Sequence, residues 1–155
     1  MFEVKNIFGL SATFLHGDFI TYLQQTPSRF DICWASGILY HMISPIDLLK
    51  GIRRVADIVY IWSHYYNAAR AKNRIEFDEL KNITYSEFSR SIHLHHRNYP
   101  DQGDGSFFSG GNQTYSYWME KDDIIFVLSE LGYGRIELLG DEPDYPPGPA
   151  FWAAG

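Results

Sequence analysis

The stretch RFDICWASGILYHMISPIDLLKGIRRVADIVYIWSH, from Arg29 to His64, decides the fold. Its opening, Arg29 to Gly37, is almost continuously apolar. A strand without polar alternation is buried on both faces, as in parallel sheets covered by helices. Asp57 to Ser63 repeats that pattern. Between the two runs, Ser44 can cap a helix, Pro45 fits the first helical position and Asp47 stands near the positive helix end. Leu48, Leu49, Ile52, Val55 and Ala56 then fall on one stripe at helical spacing. Strand, helix and strand in quick succession predict a right-handed crossover between parallel strands.

Upstream, Ser11 to Phe19 (SATFLHGDF) reads as a short buried strand closed by the turn pair Gly17-Asp18, with one or two helical turns over Ile20 to Gln25. Phe2 to Leu10 reads as the tail of a helix. Downstream, His64 to Met119 is polar, aromatic and rich in turn residues, and is long for a structureless connection. A helix over Phe77 to Phe88 and a strand over Arg90 to His96 fit within it. Glu120 to Leu131 (EKDDIIFVLSEL) is helical: acids fill its first turn, and Ile124, Ile125, Leu128 and Leu131 make its stripe. Arg135 to Leu139 and Ala150 to Ala153, joined by DEPDYPPGP, predict an antiparallel hairpin at the sheet edge.

The 155 residues, 45% hydrophobic and 21% charged, suit one compact domain over 1–155. No stretch approaches the roughly 20 apolar residues of a membrane span, and no signal-peptide pattern opens the chain, so a cytoplasmic protein without membrane contact is expected. The single cysteine, Cys33, excludes an internal disulfide. A net charge of −6 without a Lys/Arg cluster argues against a nucleic-acid partner. The unusual quantity is aromatic content, 17%, gathered at Trp62 to Tyr66, Phe107-Phe108 and Tyr115 to Trp118. Aromatic-rich surfaces contact ligands or partners.

Three phrases carry a family resemblance: LHGDF (Leu15 to Phe19), RFDICWASGILYHMISPIDLL (Arg29 to Leu49), and YSYWMEKDDIIFVLSELGYGRIELL with PDYPPGPA (Tyr115 to Ala150). In this order they resemble the second half of class I, S-adenosylmethionine-dependent methyltransferases of the small-molecule type. The resemblance implies an α/β fold: a partial Rossmann-like sheet, mostly parallel with a C-terminal antiparallel hairpin, and helices on both faces. It implies S-adenosylmethionine as cofactor, a small-molecule substrate, and residues 64–118 as an aromatic-rich insertion or lid. The family's opening strand, glycine-rich turn and acidic strand end have no counterpart here. The chain is therefore expected to start midway through that fold, with weak or no activity.

Candidate site residues follow from that placement. Asp18 would meet the adenine amine, or cap the next helix, and Phe19 would stack on adenine or fill the core. Ala35, Ser36 and Gly37 are small enough for backbone to approach the cofactor, and equally suit a tight strand exit. Tyr40 and His41 stand at the substrate mouth. His41 and His64 are the candidate bases, because imidazole exchanges protons near neutral pH; a histidine bonded to backbone is the plain alternative. Tyr65 and Tyr66 would line the substrate pocket. His93, His95 and His96 lack the further ligands a metal site needs and read as an exposed polar strand, so no metal is assigned. The alternative to an enzyme is a non-catalytic binding or assembly module. Exposed apolar edges left by an incomplete sheet would favour a homo-oligomer, most simply a dimer.

Overall fold

The computed structural model describes residues 2–72, 74–99 and 113–155, with side chains from residue 5 onward. Phe107-Phe108 therefore lie outside the described residues. The chain runs α1 (Phe2–Ile7), α2 (Phe19–Gln25), β1 (Phe30–Ser36), a 3-10 turn (Leu39–His41), α3 (Pro45–Val55) and β2 (Ala56–His64). There follow α4 (Ala68–Ala71), a second 3-10 turn (Glu79–Lys81), β3 (Ile83–Tyr85), β4 (Ile92–Asn98), β5 (Tyr115–Met119), α5 (Lys121–Glu130), β6 (Glu137–Glu142) and β7 (Ala150–Ala154).

The stretch quoted first forms the strand, helix and strand read from it, though its strands are not buried on both faces. β1 and β2 pair in parallel, Phe30 with Ala56 through Ser36 with Trp62. Between them α3 starts at Pro45 after Ser44 and buries Leu48, Leu49, Ile52 and Val55 to 2% exposure or less. At about 25 cal/mol per Å² of apolar surface removed from water, each such side chain contributes roughly 1.5–3 kcal/mol. Beside α3 lies α2: Arg54, near the end of α3, donates to the carbonyls of Leu23 and Thr26 at 2.8 and 2.7 Å. Two orphan carbonyls at the end of α2 are thereby satisfied.

Four expectations are corrected. The main sheet has the order β1-β2-β7-β6, and only β1–β2 is parallel; β2–β7 and β7–β6 are antiparallel, because the terminal hairpin enters with β7 against β2. Helices do not cover both faces among the described residues. Val59 and Ile61 of β2 are buried on the α3 side, whereas Ile32, Trp34 and Ile58 on the opposite face are 55%, 68% and 49% exposed. Residues 8–18 form no strand, and Gly17-Asp18 leads straight into α2. The stretch 77–88 is not a helix. Asp78 accepts from Leu80 N at 3.2 Å, which satisfies a short turn locally, and Ile83 to Tyr85 pair with β4 instead.

β3, β4 and β5 form a second, antiparallel sheet. Alternation along β4 turns Ile92 and Leu94 into the hydrophobic cluster that also holds α3, α5 and Phe151 of β7. The opposite face of β4 carries His93, His95 and Arg97, paired with Trp118 (His95) and Ser116 (Arg97) on β5. Two backbone bonds hang this sheet on the C-terminal ends of the parallel strands: Tyr117 N donates to Met42 O at 2.9 Å and Tyr66 N to Met119 O at 2.8 Å. That placement builds the site.

Candidate functional site

The C-terminal ends of parallel strands are where open α/β sheets place ligand contacts. Here β1 ends at Ser36, and Gly37 turns the chain with φ +72, a conformation that favours glycine. Its N–H donates to Trp62 O at 2.9 Å, so the exit of β1 is tied to the exit of β2. Tyr40, three residues on, then packs edge-on to His64, with ring centroids 4.5 Å apart, and to Trp118 at 5.9 Å.

His64 ends β2 and is 7% exposed. Its Nδ1 lies 2.9 Å from Gly148 O and 3.2 Å from Pro149 O. Both are carbonyl acceptors, so Nδ1 carries the proton and Nε2 the basic lone pair. Burial pulls its pKa below the usual histidine value, against the pull of the two backbone bonds. The ring stacks parallel to Trp118 at 5.4 Å and against Tyr145 at 5.8 Å. A neutral, oriented imidazole with one open nitrogen is what a general base requires. His41 Nδ1 lies 2.7 Å from Tyr99 Oη, and its ring packs on Tyr40.

Of the residues singled out from sequence, Tyr40, His41 and His64 come together. Gly37 borders them, and Ser36 precedes it on the exposed side. Ala35 is 6% exposed and belongs to the core. Tyr65 turns away: its hydroxyl donates to Asp141 Oδ1 at 3.0 Å, Lys121 also binds Asp141, and burial followed by Asp141 pushes its pKa up to about 12. Tyr66 stacks on His95 at 3.4 Å. The two tyrosines line a neighbouring recess of about 330 Å³ with Asn67 and Glu120. Asp18 caps α2, accepting from Thr21 N at 2.7 Å, and Phe19 packs on the core; neither touches the histidine cluster.

Sequence reading missed Arg97, Tyr99 and Tyr145, and held Trp62 and Trp118 only as members of aromatic-rich stretches. Trp118 is 2% exposed and sits at the centre, with the Arg97 guanidinium 4.9 Å over its ring and Phe77 against its edge. Trp62 and Tyr145 border a second recess of about 330 Å³ with Tyr60, Glu142 and Trp152. The alternation of His93, His95 and Arg97 against Ile92 and Leu94 was the one available signal that β4 carries a polar face.

No protein-family model and no curated protein matches this chain. Among solved structures, it is similar to the N-terminal domain of EvdMO1 crystallised in the presence of SAH and D-fucose, with TM-score 0.59 and 19% identity over 86% of this chain and 51% of that one. The same domain with SAH bound gives the same TM-score and identity, with 50% of that chain covered. An S-adenosylmethionine-dependent methyltransferase from Clostridium acetobutylicum gives TM-score 0.53 at 10% identity, over 98% of this chain and 67% of that one. The chain thus has a methyltransferase-like fold and spans about half the length of the EvdMO1 domain structures. No described helix is long and apolar enough to cross a membrane.

The described residues do not fit the whole of an S-adenosylmethionine-type cofactor. Asp18 is exposed, with one oxygen committed to its helix, and could meet an adenine edge with the other. The N–H of Gly37 is spent on Trp62 O, and among the described residues no glycine-rich turn offers amides to cradle the methionine end.

Proposed function

We propose that this chain is an S-adenosylmethionine-dependent methyltransferase-like domain acting on a small molecule. The supporting observation is the cluster at the C-terminal ends of β1 and β2, in a fold shared with an SAH-bound domain. In this reading the acceptor lies against Tyr40, His64 Nε2 takes its proton, and the His41–Tyr99 pair orients it. Tyr66 and the neighbouring recess form the outer wall, and Asp18 offers the oxygen not used in its helix cap to the adenine edge. The protein's contribution is proximity, orientation and one base.

Isothermal titration of the full chain with SAH tests this reading, with Asp18→Asn as the control because asparagine keeps the helix cap. Saturable binding that weakens in Asp18→Asn supports it. Absence of binding at millimolar SAH overturns it.

A second reading, a homo-oligomeric assembly module, is favoured by the open sheet face. Phe30, Ile32 and Trp34 stand in one row on β1, each 45% exposed or more, and β1 is also an edge strand. An unpaired edge beside an apolar row is a template for a second copy of the same strand, because antiparallel self-pairing carries both rows across a two-fold axis.

A further inference from the structure

Two buried donors in the histidine cluster have no partner among the described residues: Arg97 Nε and Trp118 Nε1. Both are donor-only groups, so what completes them is an acceptor. An unmet buried donor is destabilising, and a ligand oxygen would recover that loss. The Arg97 guanidinium lies over the rings of Trp118 and Tyr99, at 4.9 and 5.5 Å, and among the described residues no carboxylate forms an ion pair with it. Glu76 is the carboxylate whose charge reaches Arg97, but Arg74 binds it through Nε at 2.7 Å and Nη2 at 2.6 Å. Among the described residues, a cation is therefore held between aromatic rings while the carboxylate that acts on it most strongly is bound by Arg74.

We propose that Arg97, with Trp118 Nε1, anchors the carboxylate of a small molecule, and that the acceptor substrate is thus an organic acid. The proposal rests on reading the cluster as the acceptor pocket. The planar fork of arginine matches a carboxylate, and one guanidinium balances one negative charge. Phosphate is the poorer match, since a second positive charge is missing once Arg74 is paired. Aromatic walls from Tyr40, Tyr99 and Trp118 suit a flat or ring-bearing body behind the acid group.

Thermal unfolding of the full chain, without cofactor and at constant ionic strength, tests the assignment with benzoate, neutral benzamide and inorganic phosphate as probes. A ligand of the native state raises Tm with concentration. Benzoate is expected to raise Tm by several degrees while benzamide does not. The shift should vanish in Arg97→Gln, persist in part in Arg97→Lys and shrink in Trp118→Phe, which keeps a ring but loses the N–H. If Arg97→Gln does not fold, the Arg97→Lys and Trp118→Phe responses decide. No benzoate shift, an equal benzamide shift, an undiminished shift in the variants, or stabilisation by phosphate alone would overturn the assignment. Because no cofactor is present, benzoate binding without SAH binding upholds this site and sinks the methyltransferase reading; the converse sinks only the organic-acid assignment.

Discussion

The imidazole of His64 and the indole of Trp118 lie parallel, 1° apart in plane with centroids at 5.4 Å. This contact joins the end of a parallel strand in one sheet to an antiparallel strand in the other. The histidine is thus clamped in place, its Nδ1 proton fixed on Gly148 and Pro149 and only Nε2 left to exchange. His64→Phe keeps the ring stack and removes the donor. Gly148 O loses its bond, while Pro149 O still accepts from Tyr65 N at 3.0 Å, so urea denaturation should show a loss of roughly 1–3 kcal/mol.

Trp118→Ala is expected to cost about 3–5 kcal/mol, the range for emptying a large aromatic site in a core. The ring meets His64, Tyr40, Phe77 and Arg97, so its removal loosens the junction between the sheets as well as the core. Denaturant unfolding of the variant against wild type measures the loss; a change below 1 kcal/mol would contradict the packing described.

His95 governs an acid transition. Burial, then the charge of His93, brings its pKa down to about 4, outweighing the carboxylates of Asp123 and Glu79. Glu120 Oε1 stands 3.4 Å from its Nε2 and Tyr66 covers its face. Below the ordinary value near 6.5 the unfolded chain binds a proton that the folded one refuses. Stability is therefore complete above about pH 6.5 and falls toward pH 4, by at most about 1.4 kcal/mol per unit. His64, shifted the same way, adds to the slope. His95→Phe, which retains the stack on Tyr66, should flatten the profile of unfolding free energy over that window.

Gly140→Ala is expected to destabilise by about 1–3 kcal/mol through overpacking. A Cβ there would lie 2.2 Å from the indole of Trp152, whose ring rests on the bare backbone at a register shift in β6. Thermal unfolding of Gly140→Ala alone and with Trp152→Leu measures it, the second change relieving the first.

Trp34→Lys places a charge at the middle of the open β1 row and leaves the covered face untouched. If that row joins two copies, sedimentation velocity should show wild-type dimer and variant monomer, with unchanged circular dichroism. A monomeric wild type at high concentration removes the assembly reading.

What the sequence disclosed follows the range of its contacts. β1, α3 and β2 were legible because their signals are local: two apolar runs, helical spacing between them, and Pro45 at the helix start. α5 was legible for the same reason. The stretch 77–88 was not, because a weak helical pattern loses to pairing with β4, and that pairing depends on residues seven to eleven positions away. Ser11 to Phe19 has strand composition, yet its end is taken by α2, which starts at Phe19 under the Asp18 cap. Tyr40, His41 and His64 could be placed from strand ends alone. Arg97, Trp118 and Tyr145 could not, since the second sheet and the β6–β7 connection bring them in from far along the chain.

The position of β7 between β2 and β6 bears on how quickly the protein can fold. The β1–α3–β2 unit closes only short loops, but the free edge of β2 waits for residues at the other end of the chain, Tyr60 pairing with Ala154. Loop-closure entropy is spent before that ladder repays it. The central strand of the sheet thus stays unpaired on one side during the slowest stage of folding, beside the apolar row of β1, and refolding yield should fall steeply as protein concentration rises.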